Sequence, residues 1–282
     1  MSTSQCLSRL AAHHRSDTEK QVPPGTVTLV GAGPGDPELL TVKAVKALEA
    51  ARVVLYDHLV APEVLAYLPH HAERIYVGKE SSRHTLPQGE IIDLMICLAR
   101  AGKSVLRLKG GDGYIFGRGG EEAQALAQAG IPFKVIPGLT AAQGAAASVG
   151  IPLTHRDHAC ALVLATGHLR DNKGLDMDWD MLARPRQTVV LYMGVNNLPE
   201  ICRQLQAHGR GAGTPAALIE NATTARERCI TGTLGELPGL ALRHQIRPPA
   251  LVMIGEVVTV RQQLEHAGDA VSKPAAAVHA AA

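Results

Sequence analysis

Gly110-Gly111-Asp112-Gly113-Tyr114-Ile115-Phe116-Gly117-Arg118-Gly119-Gly120-Glu121-Glu122 lies between an apolar run at 104–109, which reads as a strand, and a helical pattern at 123–129. Six glycines in thirteen positions let backbone approach a ligand closely. The same loop carries an acid, two aromatic rings, a guanidinium and a pair of carboxylates. A connection that only had to turn has no use for that chemistry, so a ligand is expected here.

Outward from this loop, short apolar runs alternate with helical patterns. Strands are expected at 27–30, 52–56, 74–77, 105–109 and 133–136, and helices at 40–50, 87–101 and 120–129. In the second of these helices Ile91, Leu94, Met95 and Leu98 recur at helical spacing, with Pro87 at the start and Gly102 at the stop. Such alternation predicts a mostly parallel sheet covered by helices. The stretch 137–157 is rich in Gly, Ala and Pro and reads as a junction. Beyond it come strands at 160–166, 188–193, 215–220 and 250–254, helices at 198–208 and 234–242, and a less regular segment at 225–232 suited to a hairpin. The expected division is a disordered tail at 1–25, an α/β domain at 26–140, a junction at 141–157, a second α/β domain at 158–266 and a disordered tail at 267–282. Each domain is a mostly parallel or mixed sheet flanked by helices. No fixed-period repeat points to a solenoid or propeller.

Composition narrows the function. Of 282 residues, 46% are hydrophobic, enough for sizeable cores, and the formal net charge is only +2, which argues against a general nucleic-acid or membrane surface. Aromatics at 3% disfavour a platform that stacks bases. The five cysteines (6, 97, 160, 202 and 229) are odd in number and never spaced C-x-x-C, which disfavours a disulfide framework or structural zinc. Scattered in apolar segments, they read as small core residues in a reducing compartment, here the cytoplasm. No stretch approaches the roughly 18–20 apolar residues of a membrane span. The segment 1–24 lacks the apolar region of a secretory signal.

Several local patterns have plain alternatives. Gly31-Ala32-Gly33-Pro34-Gly35-Asp36 follows a strand and resembles a dinucleotide fingerprint, but Asp36 stands where the third glycine belongs. An acid beside a pyrophosphate has the wrong sign. Asp57 ends the second strand as a ribose-binding acid would. A tight turn without ligand, or a nucleoside ligand bearing positive charge, suits the residues better than NAD. Gly78-Lys79 lacks the upstream glycine of a P-loop, and Lys79 and His84 belong to a basic loop that is either solvated surface or a contact for an acidic small molecule. His155-Arg156-Asp157-His158 has no third ligand nearby in sequence, so no metal is expected, and Arg156 is of more interest as a carboxylate clamp. Glu122 reads as an acid that complements a helix dipole, and Trp179 as packing.

Taken in order, Val-Gly-Ala-Gly-Pro-Gly-Asp (30–36), Tyr-Asp-His-Leu-Val (56–60), the 110–122 loop, Val-Ile-Pro-Gly-Leu-Thr-Ala-Ala (135–142), Gly-Ile-Pro-Leu-Thr-His-Arg (150–156), Tyr-Met-Gly (192–194) and Pro-Ala-Leu-Val-Met-Ile-Gly-Glu-Val-Val (249–258) resemble the tetrapyrrole methylases. The Phe-Gly-Arg run with two glutamates resembles the members that methylate uroporphyrinogen III at C2 and C7. One departure is Gly113, where the family usually has proline, leaving the loop between Asp112 and Phe116 more backbone freedom. The short N-terminal segment leads to the expectation of a stand-alone enzyme.

The resemblance implies a homodimeric enzyme with S-adenosylmethionine in a cleft between two domains, leaving S-adenosylhomocysteine. It implies precorrin-2 as product, on the way to sirohaem, cobalamin or haem d1. Pro34, Gly110, Gly111, Asp112, Ile115 and Phe116 are implied to line the donor site, with Thr140, Ala141, Met193, Ala217 and Ala250 closing it. For a substrate with eight carboxylates, Arg118, Arg156, Lys79 and His84 are candidate grips, with Met193 beside them. Each methylated ring must lose a proton. Glu121 is the first candidate base and Asp57 the second, since arginine stays protonated. A nicotinamide-dependent oxidoreductase and a non-catalytic small-molecule sensor are the competing classes.

Overall fold

The computed structural model describes residues 23–78, 86–167 and 177–264. Two five-stranded sheets organise them. The first has the order β3-β2-β4-β1-β5, built from β1 (Val27–Gly31), β2 (Val53–Tyr56), β3 (Glu73–Tyr76), β4 (Val105–Lys109) and β5 (Phe133–Ile136). All of its pairings are parallel. The crossovers run through α1 (Val42–Glu49), the short α2 (Pro62–Leu65), α3 (Gln88–Arg100) and α4 (Gly119–Gln128).

Helices cover both faces, so the strands need apolar residues on both sides. One face buries Val27, Leu29, Leu55 and Val105 against Leu94, Met95 and Leu98 of α3 and Leu126 of α4. The other buries Val30, Val54, Leu106 and Leu108 against Ala44 and Leu48 of α1 and Val64 of α2.

The second sheet is mixed, in the order β6-β7-β10-β8-β9. Its strands are β6 (Ala161–Thr166), β7 (Gln187–Tyr192), β8 (Pro215–Glu220), β9 (Arg228–Thr233) and β10 (Ala250–Ile254). Only β6 and β7 pair in parallel; β10 runs antiparallel to β7 and β8, and β9 to β8. The segment at 225–232 does form a hairpin arm, β9. One face packs against α6 (Trp179–Leu182), α7 (Leu198–Ala207) and α8 (Leu237–Arg243), with Trp179 partly buried there.

The other face is covered by a helix that composition had hidden. Within the Gly/Ala/Pro-rich stretch read as a junction, α5 (Ala141–Val149) starts after Thr140 and stops at Gly150, which is left-handed at φ 69°. Ala142, Ala145 and Ala146 let it lie close on Val190, Ala217 and Met253. The small residues that read as a linker are the condition for tight helix–sheet packing.

The cysteines divide. Cys202 is buried on α7, where desolvation pushes its thiol up to about 12, whereas Cys160 is exposed. Among the described residues, no helix is long and apolar enough to cross a membrane.

Where β1, β4 and β5 end, three backbone segments meet without side chains between them. A Cβ placed on Gly138 would lie 2.4 Å from Gly111 O and 2.8 Å from Gly31 C. Gly138→Ala therefore forces backbone apart and is expected to cost about 1–3 kcal/mol. A thermal melt of the full chain with an unchanged midpoint would contradict this account.

Candidate functional site

Because the first sheet is wholly parallel, the carboxyl ends of its strands share one edge, where open α/β sheets bind ligands. The loops leaving that edge are 32–36 after β1, 57–60 after β2, 110–118 after β4 and 137–140 after β5. The two glycine-rich loops are joined directly: Gly111 N donates to Gly33 O at 2.7 Å, and Gly33 N to Gly111 O at 3.1 Å. Asp112 is used up as a tie. Its Oδ1 accepts from Tyr114 N at 2.8 Å and its Oδ2 from Gly138 N at 3.0 Å. Gly119 N closes the loop onto Gly113 O at 2.9 Å. Gly110 has no room for a side chain, since a Cβ would meet Leu59 Cβ at 2.7 Å.

The second sheet meets this edge through Tyr192, the last residue of β7. Its hydroxyl shares a 2.5 Å hydrogen bond with Thr140 Oγ1 and accepts from Ala142 N at 2.9 Å, in the first turn of α5. Burial pushes the Tyr192 phenol above its ordinary range. Its ring packs on Phe116, centroids 4.9 Å apart. Phe116, Arg118 and Met193 all hold positive φ, at 53°, 59° and 54°. Phe116 and Met193 are nevertheless exposed, as are Leu59 and Tyr114 on neighbouring loops. Large apolar side chains left in water around one edge mark a surface for a ligand or partner.

Of the residues singled out from sequence, Pro34, Gly110, Gly111, Asp112, Ile115, Phe116, Thr140 and Met193 belong to these loops or the strand ends that face them. Ala141 opens α5. Ala250 pairs with Glu220 at the same end of the second sheet as Tyr192. Ala217 is fully buried in the core under α5, and Ala250 packs with the core of the opposite face, so their side chains do not converge. Arg156 is exposed in a tight turn closed by His155 and Ala159. His155 and His158 stack ring to ring at 4.6 Å. Among the described residues, no three His, Cys, Asp or Glu side chains are grouped to hold a metal. Lys79 and His84 lie outside the described residues.

The two adjacent glutamates have opposite fates. Glu121 faces water and forms a bidentate pair with Arg118, at 2.9 Å to Nε and 2.6 Å to Nη2. That hydrogen-bonded guanidinium holds the Glu121 carboxyl below the usual range, and the carboxylate raises Arg118. Glu122 does more than complement a dipole. It is completely buried, and its Oε1 accepts from Lys109 Nζ at 2.9 Å, Gln88 Nε2 at 2.9 Å and Arg107 Nε at 3.2 Å. Arg107 Nη2 reaches on to Asp57 Oδ2 at 3.3 Å. Asp57 is thus fixed by a buried arginine, while its Oδ1 accepts from Leu59 N at 3.2 Å. Burial, followed by repulsion from Arg107, lowers the Lys109 ammonium below its ordinary range. The signal was present in the sequence: Arg107 and Lys109 alternate on an apolar strand and so face one side of it.

The pattern of the family Tetrapyrrole (Corrin/Porphyrin) Methylases matches residues 26–238, and the chain belongs to that family. The siroheme synthase of Nitrosomonas eutropha is 55% identical over 244 residues, which are 86% of this chain and 51% of that protein. The chain thus spans about half the length of the curated relatives it matches. A crystal structure of uroporphyrin-III C-methyl transferase from Thermus thermophilus complexed with S-adenyl homocysteine is 43% identical, with a TM-score of 0.72 over 84% of this chain and 94% of that one. A cobalt precorrin-4 methyltransferase aligns at 26% identity and a TM-score of 0.73, over 83% and 95% of the two chains.

Glu122→Gln removes the acidic partner of buried Lys109 and is expected to cost on the order of 3–5 kcal/mol. A lysine lowered in the folded state binds fewer protons there than in the unfolded chain, so its contribution to stability grows as pH rises towards the ordinary lysine range. The deficit of Glu122→Gln should therefore narrow with rising pH. Denaturant melts at neutral and alkaline pH check both size and sign.

Proposed function

We propose that the chain is an S-adenosylmethionine-dependent methyltransferase that methylates uroporphyrinogen III at C2 and C7, acting as a cytoplasmic homodimer. One observation carries this reading: the glycine loops of a wholly parallel sheet are fastened through Tyr192 to a second sheet, with Phe116 and Met193 left exposed beside them. The Thermus relative, complexed with S-adenyl homocysteine, supports it.

The residues fit such a donor. Gly111 is left-handed at φ 66°, and a Cβ there would find only Ala141 N, at 3.6 Å, so the space beside it is open. Pro34, Ile115, Phe116 and Met193 offer apolar surface for an adenosine, and Gly110, Asp112, Thr140 and Ala141 offer backbone at close range. Ala217 supports α5 from beneath, and Ala250, whose side chain packs on the opposite face, contributes only backbone at the Tyr192 end of the second sheet. When bound, S-adenosylmethionine supplies a methyl group on a positively charged sulfur. These loops would hold the bound donor beside the pyrrole carbon, and positioning is worth most where two reactants must meet in one geometry.

Arg118 presents a planar fork to a substrate carboxylate, with Arg156 as a second grip. A substrate carboxylate that takes Arg118 from Glu121 releases Glu121. The carboxyl then rises back towards its ordinary range and becomes a stronger base for the ring proton. Asp57, held by Arg107, is the second candidate.

Three outcomes test the reading. S-adenosylhomocysteine at a hundred times its Kd should add about 2.7 kcal/mol of stability, whereas NADH should add none. Incubation with donor and uroporphyrinogen III should give a product heavier by two methyl groups; an unmodified tetrapyrrole would end the proposal in favour of a sensor. Arg118→Ala and Arg156→Ala should lose turnover but keep donor binding.

The role of Glu121 has its own readout. The carboxyl is lowered by Arg118, so the acid limb of the wild-type kcat/KM profile should lie below the ordinary carboxylate range. Glu121→Gln should lose the limb and about 10²-fold or more in rate. An unchanged profile in Glu121→Gln would remove it from the chemistry.

A further inference from the structure

Thr223 is β-branched yet sits at φ 64°, and Asn221 before it at φ 49°. Left-handed backbone is a genuine outlier for a β-branched residue, and such strain persists only where its surroundings over-determine it. The loop leaves β8 and returns as β9, pinned by Thr224 Oγ1 donating to Asn221 O at 2.7 Å and Glu227 N to Thr224 O at 2.9 Å. Glu227 fixes Thr223 itself. Its Oε2 accepts from Thr223 N at 2.6 Å and from Ser148 Oγ on α5 at 2.5 Å.

The conformation delivers one side chain across the two sheets. Thr223 Oγ1 accepts from Asp36 N at 3.1 Å, 187 residues away in the chain. The turn it captures fits a notch made by missing side chains. A Cβ on Gly144 of α5 would fall 2.4 Å from Pro34 Cγ, and one on Gly35 would fall 2.9 Å from Thr224 Cγ2. Asp36 itself caps the short helical turn that follows, its Oδ1 accepting from Glu38 N at 2.8 Å. A glycine at 223 would relieve the backbone but offer no acceptor to Asp36.

We propose that Thr223, oriented by Glu227, is a positioning residue of the methyl-transfer site: it locks the Pro34–Asp36 turn of the first sheet onto α5 and the 221–227 loop of the second. This rests on the reading that the turn lines the donor site. The lock fixes the distance between the two halves of that site, and its loss should be felt in donor affinity before it is felt in folding.

The test uses the full chain, with S-adenosylhomocysteine affinity by calorimetry, donor KM and kcat by initial rates, and a thermal melt. Loss of one buried-side hydrogen bond predicts a Kd for S-adenosylhomocysteine raised about 5–10-fold in Thr223→Gly. The donor KM should rise in parallel and kcat change less, while the melting temperature holds because strain is removed. Thr223→Ser, which keeps the acceptor, should restore affinity to within about two-fold, and Glu227→Ala should follow Thr223→Gly. A Kd in Thr223→Gly within two-fold of wild type, or equal losses in Thr223→Ser, overturns the assignment. Wild-type protein that fails to bind S-adenosylhomocysteine overturns the methyltransferase reading beneath it.

Discussion

The hydroxyl of Tyr192 sits between Thr140 Oγ1 and the Ala142 amide, and that contact joins the ligand-binding edge of the parallel sheet to α5 and the mixed sheet. Thr140 ends the last loop of the parallel sheet, Ala142 lies in the first turn of α5, and Tyr192 ends a strand of the mixed sheet. One side chain therefore registers three elements from two cores. Its partial burial raises the cost of leaving either hydrogen bond unmade. Because the ring also supports Phe116, the same contact sets the path of the loop after β4.

Beneath that surface, charge is divided by depth. Arg107, Lys109 and Glu122 are buried on one side of β4 and balance one another, with Asp57 as the link outwards. Arg118 and Glu121, a few residues along, form an equally close pair in water. A buried pair is costly to break because the survivor has no solvent to turn to. An exposed pair exchanges partners at little cost. The first kind suits a scaffold and the second suits a grip that must release and rebind a polyanion.

Much of the architecture was legible because it obeys short-range rules. β4 and α3 announce themselves by apolar runs and helical spacing, and the loop between β4 and α4 by glycines mixed with chemistry. α5 escaped because its signal was read as composition. Ala-rich sequence flanked by Thr140 and Gly150 carries a residue type favoured at helix starts and a stop, although the Thr140 hydroxyl bonds Tyr192 and not the helix, yet Gly, Ala and Pro together also describe a linker. The ordered motifs contained Asp112, Thr140 and Tyr192, but not the ties that each of them makes. Glu122 and Glu121 are neighbours of one type, and only the face of the helix each occupies separates them. Thr223 and Asp36 are 187 residues apart, and no local pattern joins them.

The sequence by itself determined the alternation of strands and helices, the family and the loops that carry the chemistry, because each rests on the periodicity or order of nearby residues. Tertiary structure alone decided which carboxylate is buried, which tyrosine fastens the two sheets and which threonine bears strain to hold a turn. Burial and long-range hydrogen bonds belong to pairs of surfaces, and those surfaces exist only once both sheets have folded against their helices.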